Sequence, residues 1–129
     1  KFSREARQAQ ASRATYLAKL IQQAGGVPIV ALISPYRADR AWAREHLKGF
    51  VEVFVDCPAD VCARRDPKDL WARARRGELA QFTGVNDPYE CPALPEVRVD
   101  TARHSPERCC STVLAKLGEL GFSAAQEEG

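Results

Sequence analysis

Methionine is absent from the 129 residues, histidine occurs twice, and neither sign of charge dominates: 19 Lys+Arg face 17 Asp+Glu, a formal +2. A protein that grips nucleic acid through a basic footprint carries far more positive charge, so no nucleic-acid partner is expected and any phosphate must be held locally. Long hydrophobic runs are missing too. The longest, Val27 to Ile33, has seven residues and contains Pro28, against the ~18 that span a bilayer, so no membrane partner is expected. The opening KFSREARQAQ has no apolar stretch of the kind that marks a secretory leader. Five cysteines, an odd number without a Cys-x-x-Cys pair, argue against a disulfide framework or a structural zinc site and point to a reducing cytoplasm. With Lys1 rather than Met at its start, the chain reads as a fragment or as one processed at that end.

What is present suits one domain over 1–129, since 45% of the residues are hydrophobic and domains commonly hold roughly 100–150 residues. Ser3 to Ala24 predicts a helix with Ser3 as N-cap and Ala14, Leu17, Ile21 and Ala24 at helical spacing, stopped by Gly25-Gly26. VPIVALIS, Val27 to Ser34, lacks alternation and predicts a strand buried on both faces, as in parallel sheets. Ala38 to Leu47 predicts a charged helix anchored by Trp42, and Phe50 to Asp56 a strand. Pro58 to Arg65 makes about two turns. Asp66 caps a further helix with Pro67 at its first position, continuing from Asp69 to Leu79. Gly77 to Pro95 is a long Gly-, Pro-, Asn- and Asp-rich loop of the functional kind. Glu96 to Asp100 is a third strand, and Ser105-Pro106-Glu107 opens a last helix with a stripe of Val113, Leu114, Leu117 and Leu120. SAAQEEG reads as a frayed acidic tail.

The alternation is that of an α/β domain, whose ligands bind at the carboxyl ends of strands. Those ends read Ser34-Pro35-Tyr36-Arg37, Asp56-Cys57-Pro58 and Thr101-Ala102-Arg103. His46 and His104 have no partner pattern, and Cys109-Cys110 suits helix packing.

ALISPYRADR, FVEVFVDCPADVC, RRDPKDLWARARRGEL and FTGVNDPYECP follow one another at sensible spacing. In series they resemble the adenylylsulfate kinase (APS kinase) family from Phe2 to about Leu120. The resemblance implies an α/β fold like that of P-loop kinases, a parallel sheet flanked by helices but without its first two strands. The chain then holds the substrate helix, strands three to five and a lid loop at about 66–95. It implies transfer of the ATP γ-phosphoryl group, with Mg2+, to the 3′-hydroxyl of adenosine 5′-phosphosulfate (APS).

By the same resemblance Phe2 and Phe82 flank the adenine, where base–aromatic stacking is worth about 1–3 kcal/mol. Arg7 and Arg13 meet the sulfate–phosphate anhydride, whose oxygens suit planar guanidinium forks, and Gln10 stands at a family Asn position. Lys68 of the lid approaches the substrate and is the second catalytic candidate. Ile33, Ser34, Pro35 and Tyr36 line the pocket. Family convention makes Ser34 a phosphoserine intermediate, whereas direct in-line transfer is the usual kinase route and leaves it a pocket-wall residue.

No cofactor-binding or metal-binding residue is identifiable. The G-x-x-x-x-G-K-[ST] loop that cradles ATP phosphates has no counterpart, since no Gly-Lys pair occurs, and the family's Asp-Gly-Asp segment is also missing. ATP and Mg2+ therefore belong to the full-length family rather than to these residues alone. Without the P-loop strand, the strands at Val27 to Ser34 and Phe50 to Asp56 lose their shared neighbour, which predicts instability, altered pairing or association. Further departures are Ala6 for Asp, Gln10 for Asn, Ser12 for Arg, Cys57 for Thr, and Asp69 for the Gly of Asp-Pro-Lys-Gly-Leu. They keep open two alternatives: a non-catalytic nucleotide-binding module, or a related P-loop kinase with another small substrate. A homodimer and a fused or associated ATP sulfurylase also stay open.

Overall fold

The computed structural model describes residues 3–66 and 68–122, so Phe2 and Pro67 lie outside the described residues. The chain divides into two compact units, Lys1–Phe50 with Arg65–Pro92, and Val51–Arg64 with Ala93–Gly129.

The second unit holds the sheet. β1 (Val53–Asp56) and β2 (Val97–Asp100) pair in parallel, Val53 opposite Val97 and Asp56 opposite Asp100. Alternation along β2 turns Val97 and Val99 inward and leaves Arg98 outside, where it pairs with the Asp56 carboxylate. α5 (Pro106–Glu119) starts at Ser105, whose Oγ accepts from the Arg108 amide at 3.3 Å. Its Cys109 packs on the two inward valines, with Val51 and Val113 beside them. The expected stripe is narrower than its sequence: Leu114 is 62% exposed and Leu120 is exposed as well. Two four-residue strands cover only the Cys109–Val113 side of the helix. α3 (Ala59–Arg65) follows β1 as expected.

The first unit contains α1 (Arg4–Gln23), capped by Ser3, whose Oγ accepts from the Ala6 amide at 3.3 Å. α2 (Arg37–His46) has no buried residue. Trp42 is not the anchor its sequence suggests: it is 40% exposed, its ring 4.1 Å from that of His46. The expected strand at 27–34 is not formed. Among the described residues this stretch pairs with no other segment, and Val27 and Ile29 are 87% and 94% exposed. A strand exists only through its ladder, and no described segment supplies one here.

α4 (Leu70–Arg75) is shorter than expected. It is stopped at Gly77, whose φ of 77° only glycine adopts without cost. Its start is secured from outside by Asp66, whose carboxylate accepts from the amides of Leu70, Trp71 and Ala72 at 2.8, 3.0 and 3.1 Å.

Asp69 stands before α4 at φ 55°, ψ 22°, a left-handed conformation. That explains why glycine suits the position. Its side chain makes an exposed 3.4 Å ion pair to Arg76, a contact of little worth. Asp69→Gly is expected to raise stability by about 0.5–1 kcal/mol, since the left-handed strain outweighs the added chain entropy. Scanning calorimetry should show a higher Tm; an unchanged or lower Tm would count against strain at this residue.

Candidate functional site

Three pieces of the first unit meet: the start of α1, the Ser34–Tyr36 segment before α2, and the loop after α4. Pro35 is fully buried and Tyr36 is 2% exposed. The Tyr36 hydroxyl donates to Asp87 Oδ2 at 3.0 Å, and the Arg4 guanidinium lies 4.6 Å above its ring. From α1, Arg7 Nη2 donates at 2.6 Å to the carbonyl of Gln81, itself held at φ 56°.

The loop is built around Phe82. Its carbonyl accepts from the amides of Val85, Asn86 and Asp87, while the Asn86 side-chain oxygen accepts from the Phe82 amide. Phe82 is 8% exposed, and its ring meets Trp71 edge-on at 5.6 Å. Gly84 lets the turn pass that indole: at φ 88°, a Cβ there would come within 2.7 Å of the Trp71 ring.

Below the wall, Ser34 is held at φ 40°, unusual for a residue other than glycine. Its carbonyl accepts from Arg40 Nη1 at 2.6 Å, and Arg40 Nη2 donates to the Glu90 carbonyl at 2.5 Å. Glu90 in turn donates its amide to Pro35 at 2.9 Å and accepts from the Arg37 amide at 2.7 Å. This last bond supplies the cap that Tyr36 does not give α2.

The expected site residues therefore divide. Arg7, Ser34, Pro35, Tyr36 and Phe82 belong to this constellation. Gln10 and Arg13 lie exposed further along α1, joined by a 2.9 Å hydrogen bond from Arg13 to Gln10 Oε1. Ile33 is exposed, and Lys68 is exposed in the turn before α4. Arg4, Arg40, Trp71, Asp87 and Glu90 escaped the reading of the sequence. For Arg40 a signal existed, its place three residues after Arg37 in SPYRADR, which returns it to the same helix end.

Burial raises the Tyr36 pKa above the phenol value of 10.0; the Asp87 hydrogen bond and charge add to this, and Arg7 and Arg4 oppose it. A phenol that ionises less readily when folded stabilises fully below the unfolded pKa, and that stability is lost as pH rises through the folded pKa. Stability should thus fall above about pH 10, and Tyr36→Phe should flatten the fall. At neutral pH, Asp87→Ala should cost about 1–3 kcal/mol by leaving a buried hydroxyl without its acceptor. Urea denaturation of both variants checks this; an unaltered midpoint for Asp87→Ala would refute the bond's importance.

Among the described residues no group of three or more His, Cys, Asp or Glu gathers that could hold a metal ion, and the sequence has no Gly-Lys pair. Beside the buried rings of Tyr36 and Phe82 stand two guanidiniums of α1, those of Arg4 and Arg7. No described helix is long and apolar enough to cross a membrane.

Comparison with known proteins converges on one group. The family described as Adenylylsulphate kinase matches residues 1–100. A Pyrococcus abyssi protein named "Probable adenylyl-sulfate kinase" is 44% identical over 94% of this chain and 70% of its own length. A Sorangium cellulosum protein named "Probable bifunctional SAT/APS kinase 2" is 46% identical over 94% of this chain but only 21% of its own length. The chain likewise spans 58% of a Clostridium acetobutylicum adenylyl-sulfate kinase that is 43% identical. Among solved structures, Mycobacterium tuberculosis APS kinase in complex with AMPPNP and APS superposes with a TM-score of 0.83 at 37% identity, covering 92% of this chain and 70% of that one.

Proposed function

The chain belongs to the adenylylsulphate kinase family, and from that premise we propose that its residues form the APS side of a kinase that phosphorylates the 3′-hydroxyl of this nucleotide. The observation that carries the reading is the meeting of Arg7, Tyr36 and the Phe82 loop in one unit. Phe82 would stack on the adenine, and Phe2, which lies outside the described residues, is the second ring that the family resemblance assigns to it. Arg7 and Arg13 attract the sulfate–phosphate group, and Lys68 approaches it from the loop. Ile33, Ser34, Pro35 and Tyr36 form the wall.

Members of the family use ATP, and magnesium is its natural companion in phosphoryl transfer. The sequence holds no Gly-Lys pair of the kind that cradles the ATP phosphates. Ser34 is read as wall rather than nucleophile: its backbone is strained and its carbonyl is tied to Arg40, and direct transfer needs no serine intermediate. Five cysteines that form no disulfide among the described residues suit a reducing cytoplasm.

A second reading, a module that binds without turnover, is favoured by the Gln10–Arg13 hydrogen bond, which occupies one of the expected anion-binding guanidiniums. Calorimetric titration of this chain with APS tests the site, and conversion to 3′-phosphoadenylylsulfate by the natural full-length product with ATP and magnesium tests the chemistry. Binding with turnover supports the kinase; binding alone supports the module. No APS binding would overturn both.

A further inference from the structure

Resting on the proposed APS site, we infer that Arg40 is a positioning residue for that nucleotide: one guanidinium sets the Ser34–Tyr36 wall and fixes it to the returning limb of the Phe82 loop. Left-handed backbone at a serine persists only where its surroundings over-determine it. At Ser34 the surroundings are Arg40, whose Nη1 takes the Ser34 carbonyl while Nη2 takes that of Glu90. The Arg40 guanidinium also lies 5.8 Å from the ring centre of Tyr89.

The two carbonyls belong to segments more than fifty residues apart in sequence, 34 and 90. A planar fork serves both at fixed angles, which a lysine ammonium on a flexible stem cannot do. Glu90 closes the same seam through its amide on Pro35 and its carboxylate on the Arg37 amide. Arg37 Nε adds a bond to the Cys91 carbonyl at 2.8 Å. Tyr36, next along the wall, is tied to Asp87 three residues before Glu90. The wall and the loop therefore move together or not at all. Arg40 itself points at main-chain oxygens, so its effect on a ligand passes through Ser34 and Tyr36.

Calorimetric titration of the full chain with APS separates this role from plain stability, because it reads affinity and the binding-competent fraction independently. Arg40→Lys is expected to weaken APS binding about tenfold or more, with stoichiometry unchanged; this size follows from losing one to two part-buried charge-assisted hydrogen bonds. Arg40→Gln, whose amide reaches one carbonyl at most, should show the same loss, and it serves if the lysine variant melts early. A falling stoichiometry at unchanged affinity would make Arg40 a structural residue only and overturn the inference. So would two variants that bind like the parent. Failure of the parent chain to bind APS would instead remove the site proposal, and the inference with it.

Discussion

Phe82→Ala is expected to weaken APS binding by about 1–3 kcal/mol, roughly fivefold to 150-fold, through loss of the stacking ring. The same change should lower the unfolding free energy by about 3 kcal/mol, since the ring is buried against Trp71 and its loss leaves a cavity. The two effects are separable. Phe82→Leu keeps apolar bulk and should cost under about 1.5 kcal/mol of stability, yet it removes the flat face and should still impair binding. Trp71 fluorescence follows the packing, and calorimetry follows the ligand. If Phe82→Leu binds APS as tightly as the parent, the ring is a core residue and the stacking role is lost.

Self-association of the 129-residue chain is the second large effect expected. Residues 27–33 present Val27, Ile29, Val30, Leu32 and Ile33 to solvent on backbone that lacks a ladder partner. Extended apolar segments with open edges recruit other strands. Sedimentation velocity should show oligomers, and Ile29→Lys should shift them toward monomer by placing charge on the exposed edge. A sharp, cooperative unfolding transition from a stable monomer would contradict this expectation.

Helices read well from the sequence because their caps are local. Ser3 and Ser105 each satisfy an amide three residues on, and glycine stops α4. The segment at 27–34 misled because apolarity tells only that a strand would be buried, not that a neighbour exists to bury it. Phe82 and Tyr36 could be singled out by family motif, whereas Asp87 and Glu90 were not, and Arg40 offered only its spacing from Arg37. Their meaning lies in contacts fifty or more residues away in the chain, and an isolated charge in a helix or loop reads as solvated. Lys68 and Arg13, conversely, match motif positions without joining the described constellation.

Asp66 has a consequence for anions. The start of a helix, with its unpaired amides, is the backbone's ordinary seat for phosphate. At α4 that seat already holds a carboxylate of the chain itself, bonded to three amides. An arriving sulfate or phosphate would be turned away there by like charge and left to mobile cationic side chains. Ligand affinity at this loop should therefore decline steeply with ionic strength, as exposed charge pairs do, where an amide-lined cradle would hold its grip.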